Sequence, residues 1–174
     1  LFKNNLSVDR ESIFYLNTYG SLYSIDQKKF NINWFINLNS SINLNLSNLF
    51  SGSNIVNYDD KLLLSANQFF YTINSKSGSV IYKKNFSSNI KPLVINNYVF
   101  LVTKDNFLIS MNLTNGEIIY SYNLDKKISE FGKTNSKKIE VKNIFIADNK
   151  LFIFLKNSHV IKLNLKGEII EIFK

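Results

Sequence analysis

The chain has 174 residues, enough for one sizeable core, and its 45% hydrophobic and 20% charged content excludes a disordered or low-complexity protein. It has no cysteine, which excludes disulfides and thiolate metal sites but leaves the compartment open, and no apolar run long enough for an ordinary membrane-spanning helix. All 21 basic residues but Arg10 are lysine, and Asn, Ile, Phe and Tyr abound while Ala and Pro are scarce, so the net charge of +8 reads as lysine filling solvated faces in a protein from an A/T-rich genome; a nucleic-acid surface would lean on arginine as well.

The first ten residues read as irregular, with the remnant of an inner strand at 2–6. Short runs rich in β-branched and aromatic residues predict strands at 12–17, 21–25 and 32–38, each too short for a helix. Residues 39–53, rich in Asn, Ser and Leu, read as a connecting loop with at most one short extra strand or helical turn. A second group of strands is expected at 55–57, 62–65, 69–73 and 80–86. The third falls at 93–95, 98–103, 107–111 and 118–122, opened by Pro92, the only proline, at a strand start where a missing N–H is tolerated. Its joints, Asn96-Asn97, Lys104-Asp105-Asn106 and Leu113-Thr114-Asn115-Gly116, consist largely of residues that tolerate positive φ or bond their own backbone, so each makes a tight hairpin. Residues 125–142 form the longest stretch without strand signals and read as a mobile basic rim loop. The last strands are expected at 141–146, 150–155, 159–165 and 168–173.

These groups are repeats. Aligned on the apolar–polar pair that ends each third strand, they give Ile25-Asp26, Ile73-Asn74, Met111-Asn112 and Leu163-Asn164, spaced 48, 38 and 52 residues apart. Trp34, Tyr82 and Tyr120 stand eight residues past the first three pairs. Gly78 and Gly116 stand four past, Gly167 three past, and Phe30 takes that place in the first copy. Periods of this length indicate an array of like units, because one sheet with two apolar faces cannot bury both alone. The expected fold is therefore all-β: about fifteen strands in four four-stranded antiparallel blades of a β-propeller, with the first blade complete or short of one strand. The blades fall at about 1–39, 54–89, 90–124 and 139–174 of one partial domain, with loops at 40–53 and 125–138. Trp34, Tyr82 and Tyr120 are expected to pack between blades, the alternative being an exposed aromatic platform. Leu1 in place of an initiator Met suggests a fragment or a processed chain, and four blades are fewer than the seven or eight that usually close a ring of this repeat type.

Candidates for chemistry are few. His159, the only histidine, starts a predicted strand without a sequence-local ligand partner, and Asp59-Asp60 is explained by turn formation. There is no GxSxG elbow and no glycine loop of the phosphate-binding kind. Asn-x-Ser/Thr triplets at Asn5, Asn39, Asn45, Asn85 and Asn112 are as frequent as chance predicts in so Asn-rich a chain. No catalytic, cofactor-binding or metal-binding residue is assigned.

The segments LYSIDQKKFNINW, FYTINSKSGSVIY and LISMNLTNGEIIY resemble the pyrroloquinoline-quinone-type propeller repeat. Tyr23, Ile25, Asp26 and Trp34 match it in the first copy; Tyr71, Ile73, Gly78 and Tyr82 in the second; Leu108, Met111, Gly116 and Tyr120 more loosely in the third; the fourth has lost its aromatic. That family has a branch of quinone- and Ca²⁺-dependent dehydrogenases and a non-enzymatic branch, typified by the lipoprotein of outer-membrane β-barrel assembly, which binds a partner through rim loops. The chain has no vicinal Cys pair, no acidic cluster for Ca²⁺ and one Trp, so the resemblance implies the second branch: no cofactor, a periplasmic or outer-membrane-associated location, possible only with a signal outside these residues, and a protein partner in outer-membrane assembly. The expected partner site is the basic rim loop, with Lys126, Lys127, Lys133, Lys137 and Lys138, which would also suit anionic lipid. A single aromatic there, Phe131, is too few for a nucleic-acid stacking platform.

Overall fold

The computed structural model describes residues 5–39, 52–132 and 138–174. Among them are sixteen strands in four antiparallel four-stranded meanders and one helix, the all-β arrangement of a propeller fragment. The first sheet holds β1 (Asn5–Val8), β2 (Ser12–Leu16), β3 (Ser21–Asp26) and β4 (Ile32–Asn37). The second holds β5 (Val56–Tyr58), β6 (Lys61–Ala66), β7 (Phe69–Asn74) and β8 (Val80–Lys84). The third holds β9 (Leu93–Ile95), β10 (Tyr98–Val102), β11 (Phe107–Asn112) and β12 (Ile118–Asn123); helix α1 (Leu124–Gly132) follows directly. The fourth holds β13 (Val141–Ala147), β14 (Lys150–Leu155), β15 (Val160–Asn164) and β16 (Ile169–Phe173).

Two expectations are corrected. The first sheet has all four strands, its inner strand running on to Val8 past the expected end at 6, because Asn5, Leu6, Ser7 and Val8 pair in turn with Leu16, Tyr15, Phe14 and Ile13; residues 2–4 of the expected strand lie outside the described residues. The stretch 125–138 is not simply a loop, since it opens within the helix Leu124–Gly132. The expected loop 39–53 lies mostly outside the described residues; at its end Gly52 bridges Ala66, and Ser53 N–H donates to the Ser65 carbonyl at 2.9 Å.

The apolar–polar pair that marks each repeat has a structural cause. Its polar member closes the turn after the third strand: the side-chain oxygen of Asp26 accepts from the N–H groups of Lys28 and Lys29, Asn74 from Lys76 and Ser77, Asn112 from Thr114 and Asn115, and Asn164 from Lys166 and Glu168. Its carbonyl accepts from the N–H four residues on, of Phe30, Gly78 or Gly116, or three residues on, of Gly167 in the shorter last turn. The register then shifts at one place in every sheet, at Ser24/Ile25, Thr72/Ile73, Ser110/Met111 and Lys162/Leu163. Such a bulge re-aims the side chains of the fourth strand.

Because side chains alternate, each sheet has two faces. The forward face carries the row ending in the repeat aromatic: Ser7–Phe14–Ser24–Trp34, Val56–Leu63–Thr72–Tyr82, and Leu93–Phe100–Ser110–Tyr120, each member paired with the next. The apolar member of each marker pair belongs to the opposite, rear face. The chain divides into two compact units, 1–89 and 90–174. In the first, Phe14, Leu16, Leu22, Trp34 and Ile36 from the forward face of the first sheet pack with Leu62, Leu64, Tyr71 and Ile73 from the rear face of the second. In the second, Phe100, Val102, Leu108 and Tyr120 from the third sheet pack with Ile144, Leu151, Ile153, Ile161 and Leu163 from the fourth. The same faces meet in both units.

Candidate functional site

Trp34 is half-buried on β4 and crosses to the turn of the second sheet. Its Nε1–H donates to the Ser75 carbonyl at 2.9 Å, and its ring lies over Gly78, where an added Cβ would come within 2.6 Å of ring carbon Cε3. Tyr120 does the same in the second unit: its hydroxyl donates to the Leu165 carbonyl at 3.0 Å, and a Cβ on Gly167 would meet Tyr120 at 3.0 Å and Tyr122 at 2.7 Å. Ser75 and Leu165 are equivalent, each the first residue after its marker pair. Both glycines have positive φ, 73° and 81°, so the repeat requires glycine twice over, for the turn and for the ring above it. Burial raises the Tyr120 pKa, Tyr122 adds to the rise, and a hydrogen bond with Ser110 opposes it. Tyr82 stands in the same register opposite Thr72, is half-buried, and has its pKa raised by burial.

The candidate lysines divide. Helix α1 is capped by Asn123, whose Oδ1 accepts from Lys126 N–H at 2.9 Å, and Leu124 is buried. Asp125 Oδ1 accepts from Ile139 N–H at 2.8 Å, and buried Asn106 donates from Nδ2 to Asp125 and, at 2.8 Å, to the Ile139 carbonyl, tying the helix to the chain on both sides of it. Lys127 is turned inward: Nζ donates to the Gly167 carbonyl at 2.8 Å and sits 3.6 Å from the Tyr122 ring centroid. Its charge therefore helps seat the aromatic pair on the fourth sheet. Lys126 is exposed and lies 3.8 Å from Glu130, Lys138 is exposed, and Lys133 and Lys137 lie outside the described residues. Phe131 is exposed at the end of the helix. Sequence reasoning missed α1, though its signals were present: Asn123 as a cap and apolar residues at 124, 128 and 131.

His159 precedes β15 in a local turn, its Nδ1 3.1 Å from the Asn157 carbonyl oxygen. Asp59 takes φ 52° in the β5–β6 turn, and Asp60 pairs with Lys61 at 2.5 Å, which holds its carboxyl below the usual range. The structure brings Asp59 and Asp60 together with Asp9, Glu11 and Lys76 around a solvent-open cleft of about 390 Å³. Sequence reasoning missed this convergence because the residues come from three different turns. Among the described residues, no three Asp, Glu or His side chains are placed to hold a metal ion.

A second missed feature is the rear face of the first sheet. Two apolar rows cross all four strands, Leu6–Tyr15–Tyr23–Phe35 and Val8–Ile13–Ile25–Ile32. Tyr15, Tyr23 and Phe35 stack across the sheet with centroids 6.4 and 5.9 Å apart. Phe35 is 67% exposed and Leu6 58%, in an alternation that would ordinarily be read as core.

No family model matches the chain, and no curated protein does. Solved structures do. The quinohemoprotein alcohol dehydrogenase of Comamonas testosteroni matches 98% of the chain over 34% of its own length, at TM-score 0.77 and 9% identity. BamB of Moraxella catarrhalis matches 97% of the chain over 62% of its own length, at TM-score 0.56 and 9% identity. The computationally designed protein Ika4 matches 92% of the chain over 89% of its own length, at TM-score 0.67 and 10% identity. The likeness is one of fold, and the chain spans about three-fifths of BamB and a third of the dehydrogenase.

Proposed function

We propose that this chain is part of a non-catalytic propeller scaffold that binds a protein partner through its rim, with a component of outer-membrane protein assembly as the first candidate and the periplasm or outer membrane as its location. The observation that carries this reading is the pinned helix α1. A helix held by Asp125, Asn106 and Lys127 offers Lys126, Phe131 and, beyond it, Lys138 on a fixed support. An exposed aromatic and an exposed lysine on one held helix suit an acidic protein surface with one apolar anchor. The repeat resemblance and the fold likeness to BamB support the choice of compartment and partner. Among the described residues no helix is long and apolar enough to cross a membrane. The test is recovery of outer-membrane assembly components by wild type and by a variant with Ser at Lys126, Lys133, Lys137 and Lys138, Lys127 being kept because it holds the helix. Loss of recovery is expected, while unchanged recovery of every partner removes this segment from the reading.

The likeness to quinohemoprotein alcohol dehydrogenases supports a second reading, a fragment of a quinone-dependent enzyme. The donor set fits it poorly, since the chain has no cysteine pair and its described carboxylates form no three-ligand group. Stoichiometric quinone and Ca²⁺ binding with dye-linked alcohol oxidation by the full-length protein would establish it over the scaffold.

A further inference from the structure

We propose that this chain self-associates head to tail, the forward face of the fourth sheet in one copy packing on the rear face of the first sheet in a second copy. The reasoning starts from what covers a rear face. In the second sheet, Leu62, Leu64, Tyr71 and Ile73 on that face are buried against the forward face of the first. In the fourth, Ile153, Ile161, Leu151 and Leu163 are buried against the forward face of the third. The rear face of the first sheet carries the same kind of rows, with Phe35, Ile32, Leu6 and Val8 exposed. The surface that fits it is the forward face of another sheet of this repeat.

The fourth sheet supplies one. Its forward face carries Phe145 stacked on Phe152 and Phe154 at 4.8 and 5.2 Å, with exposed Phe173 paired to Val160. Its outer strand departs from the repeat. Where the other sheets set Ser24, Thr72 or Ser110 beside Trp34, Tyr82 or Tyr120, the fourth sets Lys162 beside Glu171, the two charges 3.6 Å apart.

The first sheet departs at the complementary place. A docking ring needs a glycine beneath it, as Gly78 and Gly167 show, but the first turn reads Gln27-Lys28-Lys29-Phe30, with Phe30 in the glycine position at φ 58° and 73% exposed. The ring of Phe30 occupies space that an incoming aromatic would use. Lys28 and Lys29, both exposed, present positive charge where a fourth-strand residue of a neighbouring sheet arrives. Glu171 is the fourth-strand residue that answers them. The sheet that has exchanged its aromatic for an acid thus matches the turn that has exchanged its glycine for a basic, bulky sequence.

The contact uses two different surfaces and is heterologous, which makes it testable by complementation. Light scattering on the full chain across a concentration series should give a mass of at least two 20.2 kDa chains at the upper end. Two variants alter exposed positions: Ile32→Asp with Phe35→Asp on the rear face, and Glu171→Lys on the forward face. Each alone should weaken self-association by about tenfold or more, with far-UV circular dichroism and Trp34 fluorescence unchanged. Mixed together they should form a one-to-one pair, because the intact forward face of one meets the intact rear face of the other. Adding Lys28→Glu and Lys29→Glu to Glu171→Lys should restore self-association, an outcome that misfolding cannot produce. A single-chain mass at every concentration assigns the face to another occupant, such as a further sheet of a longer chain, and overturns the proposal. So does a mixture no larger than its separate parts, which would indicate a contact of like with like.

Discussion

The rear faces of the first and second sheets make an instructive pair. At equivalent positions they hold Ile13 and Leu62, Tyr15 and Leu64, Tyr23 and Tyr71, Ile25 and Ile73, so their chemistry is nearly the same. Yet Leu62, Leu64 and Ile73 have no solvent exposure, while Ile13, Tyr15, Tyr23 and Ile25 are only half-buried and Phe35 beside them is open. Strand pattern prescribes that a face should be covered; only a neighbouring sheet with a docking residue covers it. In this molecule that residue is an aromatic that reaches across to a glycine and a carbonyl.

Substitutions can break the covered junction or leave the open face alone, and their effects should differ in order. Trp34→Ala removes the ring between the first two sheets and should cost about 3–5 kcal/mol, read as a lower urea midpoint at unchanged slope. Gly78→Ala should cost about 2–4 kcal/mol, because the added methyl meets both an unfavourable left-handed backbone and the Trp34 ring. Asp125→Ala frees the Ile139 N–H and one partner of Asn106, and about 1–2 kcal/mol is expected, with earlier hydrogen exchange in α1 than in the strands.

Tyr120→Phe loses the hydrogen bond to Leu165 and should cost about 1 kcal/mol at neutral pH. The same variant sharpens the comparison at high pH. Burial raises the Tyr120 pKa, so the folded state keeps a proton that the unfolded chain releases. That contribution is whole below about pH 10, the unfolded value, and declines as pH rises from there toward the folded pKa. Alkaline titration of stability should therefore be shallower for Tyr120→Phe than for wild type. On the open face, Phe35→Ser should change the stability of the dissociated chain by no more than about 0.5 kcal/mol, although Phe35 and Trp34 are neighbours on one strand.

Much of this was legible before the structure. Marker pairs such as Ile73-Asn74 announced the end of a third strand and a polar turn after it, and the interval from Asn74 to Tyr82 located the fourth strand. These are local signals, since side-chain alternation and turn bonding act within a few residues. Helix α1 was obscured because four charged residues in nine, ending at Gly132, outweighed the apolar residues at 124, 128 and 131. The roles of the lysines were not legible at all: Lys126 and Lys127 are adjacent, yet one faces solvent and the other is held against Tyr122 and against Gly167, 40 residues further along the chain.

The sequence by itself determined the strands, their turns, the fourfold repeat and the positions at which an aromatic, a glycine and a polar cap recur, because each follows from backbone geometry and short-range bonding. The tertiary structure decided what those positions meet: that Trp34 donates to Ser75 and Tyr120 to Leu165, that carboxylates from two turns and a lysine from a third share one cleft, and that one apolar face stands open while its equivalent is sealed. Coverage depends on residues far apart in the chain arriving at one surface, and no local pattern encodes that arrival.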